Sequence, residues 1–149
     1  LFAGVLEGAP LVANKSLWRS FPKRWNDTWY DGNKVLLGDS LHTAHFSIGS
    51  GTRLAMEDGI ALVRAMIDAK GDVAQALPAY QAARKPIVEK IVVAANRSAL
   101  WYEDFAKHMD LSPWDLADSY IRRAGRIDDD RLRKLAPKFM AGLDAHRAA

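Results

Sequence analysis

The spacing of apolar residues changes along the chain, and each change marks an element. Between Ser16 and Tyr30, Leu17, Trp18, Phe21, Trp25, Trp29 and Tyr30 sit among Arg and Lys and are interrupted by Pro22. This predicts an edge strand or hairpin, with Asp31-Gly32-Asn33 as the turn. Lys34-Val35-Leu36-Leu37 follows as a short apolar run closed by Gly38-Asp39, which predicts a buried strand with a carboxylate at its carboxyl end.

Beyond a loop rich in Gly and Ser, the period becomes helical. Ala55, Gly59, Leu62, Val63, Met66 and Ile67 share one face of a helix expected from Thr52 to Ala69, which Gly71-Asp72 terminates. A second helix is expected from Val73 to Arg84, with Pro78 near its first turn. Pro86 opens a longer one, in which Val88, Ile91, Val92, Ala95, Ala99, Tyr102, Ala106 and Met109 repeat. Ser112-Pro113-Trp114-Asp115 has the form of a capping box and starts a helix to about Arg123. Asp128 caps a short helix through Leu135 that Pro137 stops, and the tail from Gly142 is expected to be solvated or frayed. At the other end, Leu1, Phe2, Val5 and Leu6 at helical spacing suggest a fragment that begins inside an amphipathic element.

Composition narrows the class. A chain of 149 residues, 49% of them apolar, supports one compact core. Its 21 Lys and Arg are interleaved with 18 Asp and Glu, so the net charge of +3 gives no basic patch for nucleic acid. The lack of Cys excludes a disulfide framework and a thiolate zinc site, and no run approaches the roughly 18 apolar residues of a membrane span. A reducing, cytoplasmic setting without a membrane partner fits these limits.

The chemistry concentrates in Gly38-Asp39-Ser40-Leu41-His42-Thr43-Ala44-His45-Phe46-Ser47-Ile48-Gly49-Ser50-Gly51-Thr52-Arg53. A carboxylate at a strand end can accept hydrogen bonds from sugar-like hydroxyls. Gly49 and Gly51 let the backbone approach a flat ligand. The amides of Thr52 and Arg53 fall at a helix start, where unpaired donors and the positive dipole end favour an anion.

These residues resemble the second flavin motif of the single-component FAD-dependent aromatic hydroxylases, through Gly38-Asp39-Ser40-Leu41-His42 and Gly49-Ser50-Gly51 at the family's spacing. The run Leu41 to Thr52 is similar to the branch that hydroxylates aromatic acyl-CoA thioesters, such as the salicylyl-CoA and 2-aminobenzoyl-CoA hydroxylases. Tyr80 to Pro86 and Ser119 to Arg126 continue the likeness. His45-Phe46 stand where the family usually has prolines, and Ile48 where it often has Gly.

The resemblance implies an α/β parent enzyme, of which this chain is a mainly α-helical carboxyl-terminal fragment with one or two strands. Residues 1–32 would end the substrate-domain sheet, 33–53 form the return strand and flavin loop, and 54–149 give a helical cover. Asp39, Gly49, Ser50, Gly51, Thr52 and Arg53 would bind FAD, with the Asp39 carboxylate on a ribityl hydroxyl and the Thr52 and Arg53 amides at the pyrimidine edge of the ring. His45 and Phe46 would line the substrate side as catalytic residues. NAD(P)H would be co-substrate, an aromatic compound or its CoA thioester the substrate, and aromatic catabolism the setting. The amino-terminal Gly-x-Gly-x-x-Gly unit is missing from this sequence, so the rest of its own chain would be a partner and the fragment alone inactive.

Two other classes compete. Asp39, His42 and His45 at three-residue steps could converge on a metal. The long face from Val88 to Met109 could serve a helical interaction module without catalysis. For His42 the simplest reading is a loop histidine donating to a nearby carbonyl, and for the tryptophans it is core packing.

Overall fold

The structure, a computed structural model, describes Val5, residues 7–10, Leu17 and residues 19–148. Leu1, Phe2 and Leu6 of the expected opening element, and Ser16 and Trp18 of the expected edge strand, lie outside the described residues. The chain is mainly helical, as expected. Among the described residues two short strands, β1 (Tyr30–Asp31) and β2 (Lys34–Val35), are followed by five α-helices: α1 (Gly51–Asp68), α2 (Val73–Glu103), α3 (Pro113–Arg122), α4 (Asp129–Leu135) and α5 (Pro137–Ala148).

The strands pair antiparallel, Tyr30 opposite Val35 and Asp31 opposite Lys34, around the predicted turn. Gly32 sits first in that two-residue loop at φ +56°, a conformation that favours glycine. The expected buried strand through Leu37 does not form. Leu36 and Leu37 are 38% and 37% exposed, because among the described residues β2 has a sheet neighbour on one side only. At Gly38, φ +57° turns the chain into a 3-10 turn over Gly38–Ser40, so Asp39 rides on that turn and not on a strand end. A Cβ at Gly38 would also come within 3.1 Å of the Ala55 methyl, so the turn needs glycine for space as well.

In α1 the buried stripe is rotated from the expected face. Leu54 and Asp58 are fully buried, while Val63 and Ile67 are 57% and 69% exposed. Period counting treats an Asp as a solvent position, but Asp58 points inward to ion partners and carries its side of the helix with it. The helix ends in a Schellman arrangement: the Gly71 amide donates to the Met66 carbonyl at 2.9 Å and the Lys70 amide to the Ile67 carbonyl at 2.9 Å. Lys70 itself takes the left-handed position, at φ +52°.

The two helices expected either side of Arg84 are one. Asp72 caps α2 by accepting from the Ala74 and Gln75 amides, and the helix continues through both Pro78 and Pro86. An interior proline costs about 3 kcal/mol or more. Burial of Leu77, Val88, Ile91 and Val92, at about 1.5–3 kcal/mol each, outweighs that as a set and keeps the helix whole. It ends at Glu103, before the expected Met109, which follows a 3-10 turn over Phe105–His108.

The main core joins Trp29, Leu41, Leu54, Tyr80, Val88, Ile91 and Val92. Trp29 is its centre, with its amide on Gln81 Oε1 at 2.8 Å and its ring 5.5 Å from Tyr80. A second, smaller core gathers Leu132, Met140 and Leu143. The caps predicted for α3 and α4 form: Ser112 Oγ accepts from the Asp115 amide, and the Asp128 carboxylate from the Arg131 amide. The tail, however, is not frayed. The short helix does end at Leu135 as expected, but Pro137 then opens α5, since its fixed φ suits a first helical turn, and Leu143 is fully buried. Near the end of α5, the Arg147 guanidinium grips Asp115 at 3.3 Å and Asp118 at 3.0 Å. Among the described residues no helix is long and apolar enough to cross a membrane.

Candidate functional site

A cleft of about 510 Å³ is lined by Asp39, Ala44, Phe46, Gly49, Gly51, Thr52 and Ala55. It therefore unites most of the residues singled out in the sequence. Asp39 is exposed at its edge.

The opposite wall is the start of α1. Gly49 closes the 3-10 turn over Phe46–Ile48 at φ +61°, its amide donating to the Phe46 carbonyl at 2.9 Å. Ser50 occupies the capping position but does not cap: its hydroxyl donates to the Ile48 carbonyl at 3.3 Å. The first α-helical bond runs from the Leu54 amide to the Ser50 carbonyl, so the amides of Gly51, Thr52 and Arg53 find no acceptor among the described residues. Three donors at the positive end of an 18-residue helix thus remain available to a ligand. The Arg53 side chain is turned away, exposed and 3.7 Å from Glu57. A Cβ at Gly49 or Gly51 would meet no atom within 4 Å, which leaves open space beside both glycines. An acceptor for hydroxyls, an open glycine pair and unpaired donors together fit a flat, anionic ring carrying a hydroxylated chain.

Phe46 lines the cleft, whereas His45 stacks behind it with ring centroids 4.3 Å apart. His45 Nδ1 accepts from the Ser47 amide at 3.2 Å, so the neutral ring carries its proton on Nε2 and can donate it. The stretch before β1 is laced to this loop. The Arg24 amide donates to Thr43 Oγ1 at 2.8 Å and the Thr43 amide to the Arg24 carbonyl at 3.0 Å, and Phe21 meets Phe46 edge-on at 6.0 Å.

Beneath the loop lies a group that sequence reasoning missed. His42 is buried as a structural residue, but its partner is a carboxylate and not a carbonyl: Nε2 sits 2.8 Å from Asp58 Oδ2. Arg84 Nε donates to Asp58 Oδ1 at 2.9 Å, and Arg84 Nη2 pairs with Glu57 at 3.0 Å. Burial works against ionisation of Asp58, yet the hydrogen bonds and charges of His42 and Arg84 prevail and hold its carboxyl below the usual range. Burial, reinforced by Asp58, pushes the neighbouring Tyr80 phenol well above its ordinary value. The available signal was an Asp one helical turn after Leu54 and one before Leu62.

Asp39, His42 and His45, the residues of the metal alternative, are not brought together. His42 is committed to Asp58, and the described residues hold no group of three His, Asp or Glu placed to share an ion.

The sequence profile of the FAD binding domain matches residues 10–95, more than half of the chain. Salicyloyl-CoA 5-hydroxylase of a Streptomyces species is 45% identical over 109 residues, 73% of this chain and 21% of that protein. The 3-hydroxy-4-methyl-anthranilyl-[aryl-carrier protein] 5-monooxygenase of Streptosporangium sibiricum is 46% identical over 126 residues, 85% of this chain and 35% of that protein. Protodeoxyviolaceinate monooxygenase of Chromobacterium violaceum is 36% identical over 124 residues, 83% of this chain and 33% of that protein. The chain thus spans between about a fifth and a third of the length of these relatives. With the cleft, the open glycines and the uncapped helix start already in place, the match over residues 10–95 gives the family: the chain belongs to the FAD binding domain family.

Proposed function

We propose that this chain forms the isoalloxazine-side part of an FAD-dependent aromatic hydroxylase that uses NAD(P)H and O2. The observation that carries the reading is the meeting of Asp39, the Gly49 and Gly51 pair and the unpaired amides of Thr52 and Arg53 around one cleft. Asp39 would accept from a ribityl hydroxyl, and the helix start would hold negative charge at the pyrimidine edge of the ring without reorganising. Held by these residues, FAD would supply the redox chemistry that links nicotinamide oxidation to the activation of O2. The overall reaction would place one oxygen atom on the aromatic ring and release the other as water, with one proton consumed from solvent.

The protein's own part is orientation, exclusion of water and proton handling. Phe46 would wall the substrate side, and His45 Nε2–H would donate to a phenol oxygen or relay its proton. Ser50 acts through its position, because its hydroxyl shapes the turn.

For substrate, the reading favours an aromatic acyl group held as a thioester. Two relatives named above act, by their names, on a CoA derivative and on a carrier-protein derivative. The exposed Lys23 and Arg24 are laced beside Thr43, one residue from the cleft wall at Ala44, and with Arg19 they supply cations for the phosphates of such a handle.

The test uses the full-length enzyme, with nicotinamide oxidation followed and hydroxylated product counted. Salicylyl-CoA or 2-aminobenzoyl-CoA should give coupled hydroxylation well above the free acids. Equal turnover of the free acids would remove the thioester preference and leave the hydroxylase reading. No flavin-dependent hydroxylation of any aromatic would remove both. The 149-residue chain alone should be inactive and show no saturable FAD binding at micromolar concentration, because the ADP-binding motif is not in its sequence.

A further inference from the structure

The turn that carries Phe46 is fastened from a distant part of the chain. One terminal nitrogen of Arg123, at the carboxyl end of α3, donates to the Ser47 carbonyl at 3.3 Å across 76 residues of sequence. The other donates to the Tyr120 carbonyl at 2.8 Å. The guanidinium carbon lies 3.9 Å from the Tyr120 ring centre and 5.8 Å from that of Tyr102, so the cation rests against two aromatic rings. Nε is buried as well. A planar fork held on tyrosines is a stiff strut, and it ends on the carbonyl one residue after Phe46.

At its far end the same turn is anchored by Ile48, which packs against the main core, whereas its Phe46 end has lighter restraints. Phe46 itself is 71% exposed and touches His45 and Phe21. Gly49, with its left-handed φ, closes the turn without side-chain packing of its own. Arg123 thus supplies a hydrogen bond from a distant helix end to the Phe46 side of the turn.

We propose that Arg123 is a positioning residue for the substrate wall of the cleft: it fixes the turn over Phe46–Ile48 and thereby the coupling of nicotinamide oxidation to hydroxylation. This rests on the hydroxylase reading above. A loosened wall admits water beside the ring, and reduced flavin with O2 then yields oxidised flavin and hydrogen peroxide in place of hydroxylated product. The electron count is unchanged, since two electrons leave the nicotinamide in either case.

The experiment compares Arg123→Ala, Arg123→Lys and Tyr120→Leu with the wild type in the full-length enzyme. Four quantities are read: bound FAD per protein, KM for the aromatic substrate, product per nicotinamide oxidised, and hydrogen peroxide released. Arg123→Ala should keep its FAD while product per nicotinamide falls at least threefold, with peroxide making up the difference. Arg123→Lys, which retains one donor but cannot stack as a plane, should recover part of the loss. Tyr120→Leu leaves the arginine and removes its platform, and should uncouple to a lesser degree. Coupling and KM within twofold of wild type in Arg123→Ala would overturn the proposal. If that variant does not fold, Tyr120→Leu decides: uncoupling with FAD retained supports the strut, and FAD lost in step with product reduces Arg123 to general stability and overturns it. A wild type that binds no flavin indicts the functional reading and not the strut.

Discussion

His42 Nε2 lies 2.8 Å from Asp58 Oδ2, while the other oxygen of that carboxylate takes Arg84 Nε at 2.9 Å. One buried anion thus joins the loop to both long helices. Asp58→Asn keeps the volume but removes the charge, leaving Arg84 facing a neutral amide. Breaking such a buried set from one side costs about 3–5 kcal/mol. The midpoint of urea unfolding should fall accordingly at neutral pH. The sign of the pH dependence follows from the lowered Asp58 pKa: its contribution is complete above the unfolded value of about 3.8 and is lost as pH falls through the lower folded value. The variant should lack that part of the acid slope, and an unchanged slope between about pH 2 and about pH 5 would contradict the assignment.

Substitutions around the cleft separate folding from ligand binding. Asp39→Ala in the full-length enzyme should weaken FAD by about tenfold to a hundredfold, the worth of a hydrogen bond to a charged group, with little change in stability. Gly49→Ala forces a left-handed φ of +61° on an alanine and should cost about 1 kcal/mol even without ligand. Gly51→Ala meets no such strain and no nearby atom, so stability should hold while FAD affinity drops. Fluorescence titration alongside thermal unfolding reads both quantities. Unaltered flavin affinity in Gly51→Ala and Asp39→Ala together would move the ligand elsewhere.

Lys70 occupies the left-handed position that closes α1, at φ +52°. Glycine removes the clash of a Cβ there, so Lys70→Gly should stabilise the protein by about 0.5–1 kcal/mol. Chemical denaturation resolves a change of that size, and a loss of stability would contradict the Schellman geometry.

At Gly142, an added methyl would collide with the outer edge of the Trp114 ring, which abuts the glycine. Gly142→Ala should therefore cost about 1–3 kcal/mol by overpacking, although alanine is the better helix former. A stabilised variant would mean that α5 does not dock on α3.

Legibility in the sequence followed where each residue's partners lie. The caps at Ser112 and Asp128 were readable, because a cap is made within three residues of itself. So were Asp39, Gly49, Gly51 and Thr52, which lie within one continuous run and meet at one cleft. The rotation of α1 was not readable, since it depends on Arg84, 26 residues away from Asp58. Nor was the single helix through Pro78 and Pro86, where tertiary burial of Tyr80 and Val88 overrides a local breaker. Arg123 lay within a stretch that drew notice only by resemblance, and its contact with Ser47 spans half the chain.

The 31 residues of α2 extend about 46 Å, and its two ends meet different parts of the fold. Its first half packs against Trp29 and α1, whereas near its end Trp101 reaches α3 through an indole N–H on Ser119 Oγ at 2.8 Å and an edge contact with Tyr120. The small core of Leu132, Met140 and Leu143 shares no residue with the large one. Cooperativity across so narrow a bridge is weak, so α3, α4 and α5 should open as a subglobal unit while the rest stays folded. Amide exchange in residues 113–148 would then run ahead of that in residues 51–95. Because Arg123 belongs to the looser unit, each such opening also releases the Ser47 carbonyl, and the wall of the cleft inherits the breathing of a core more than 70 residues downstream.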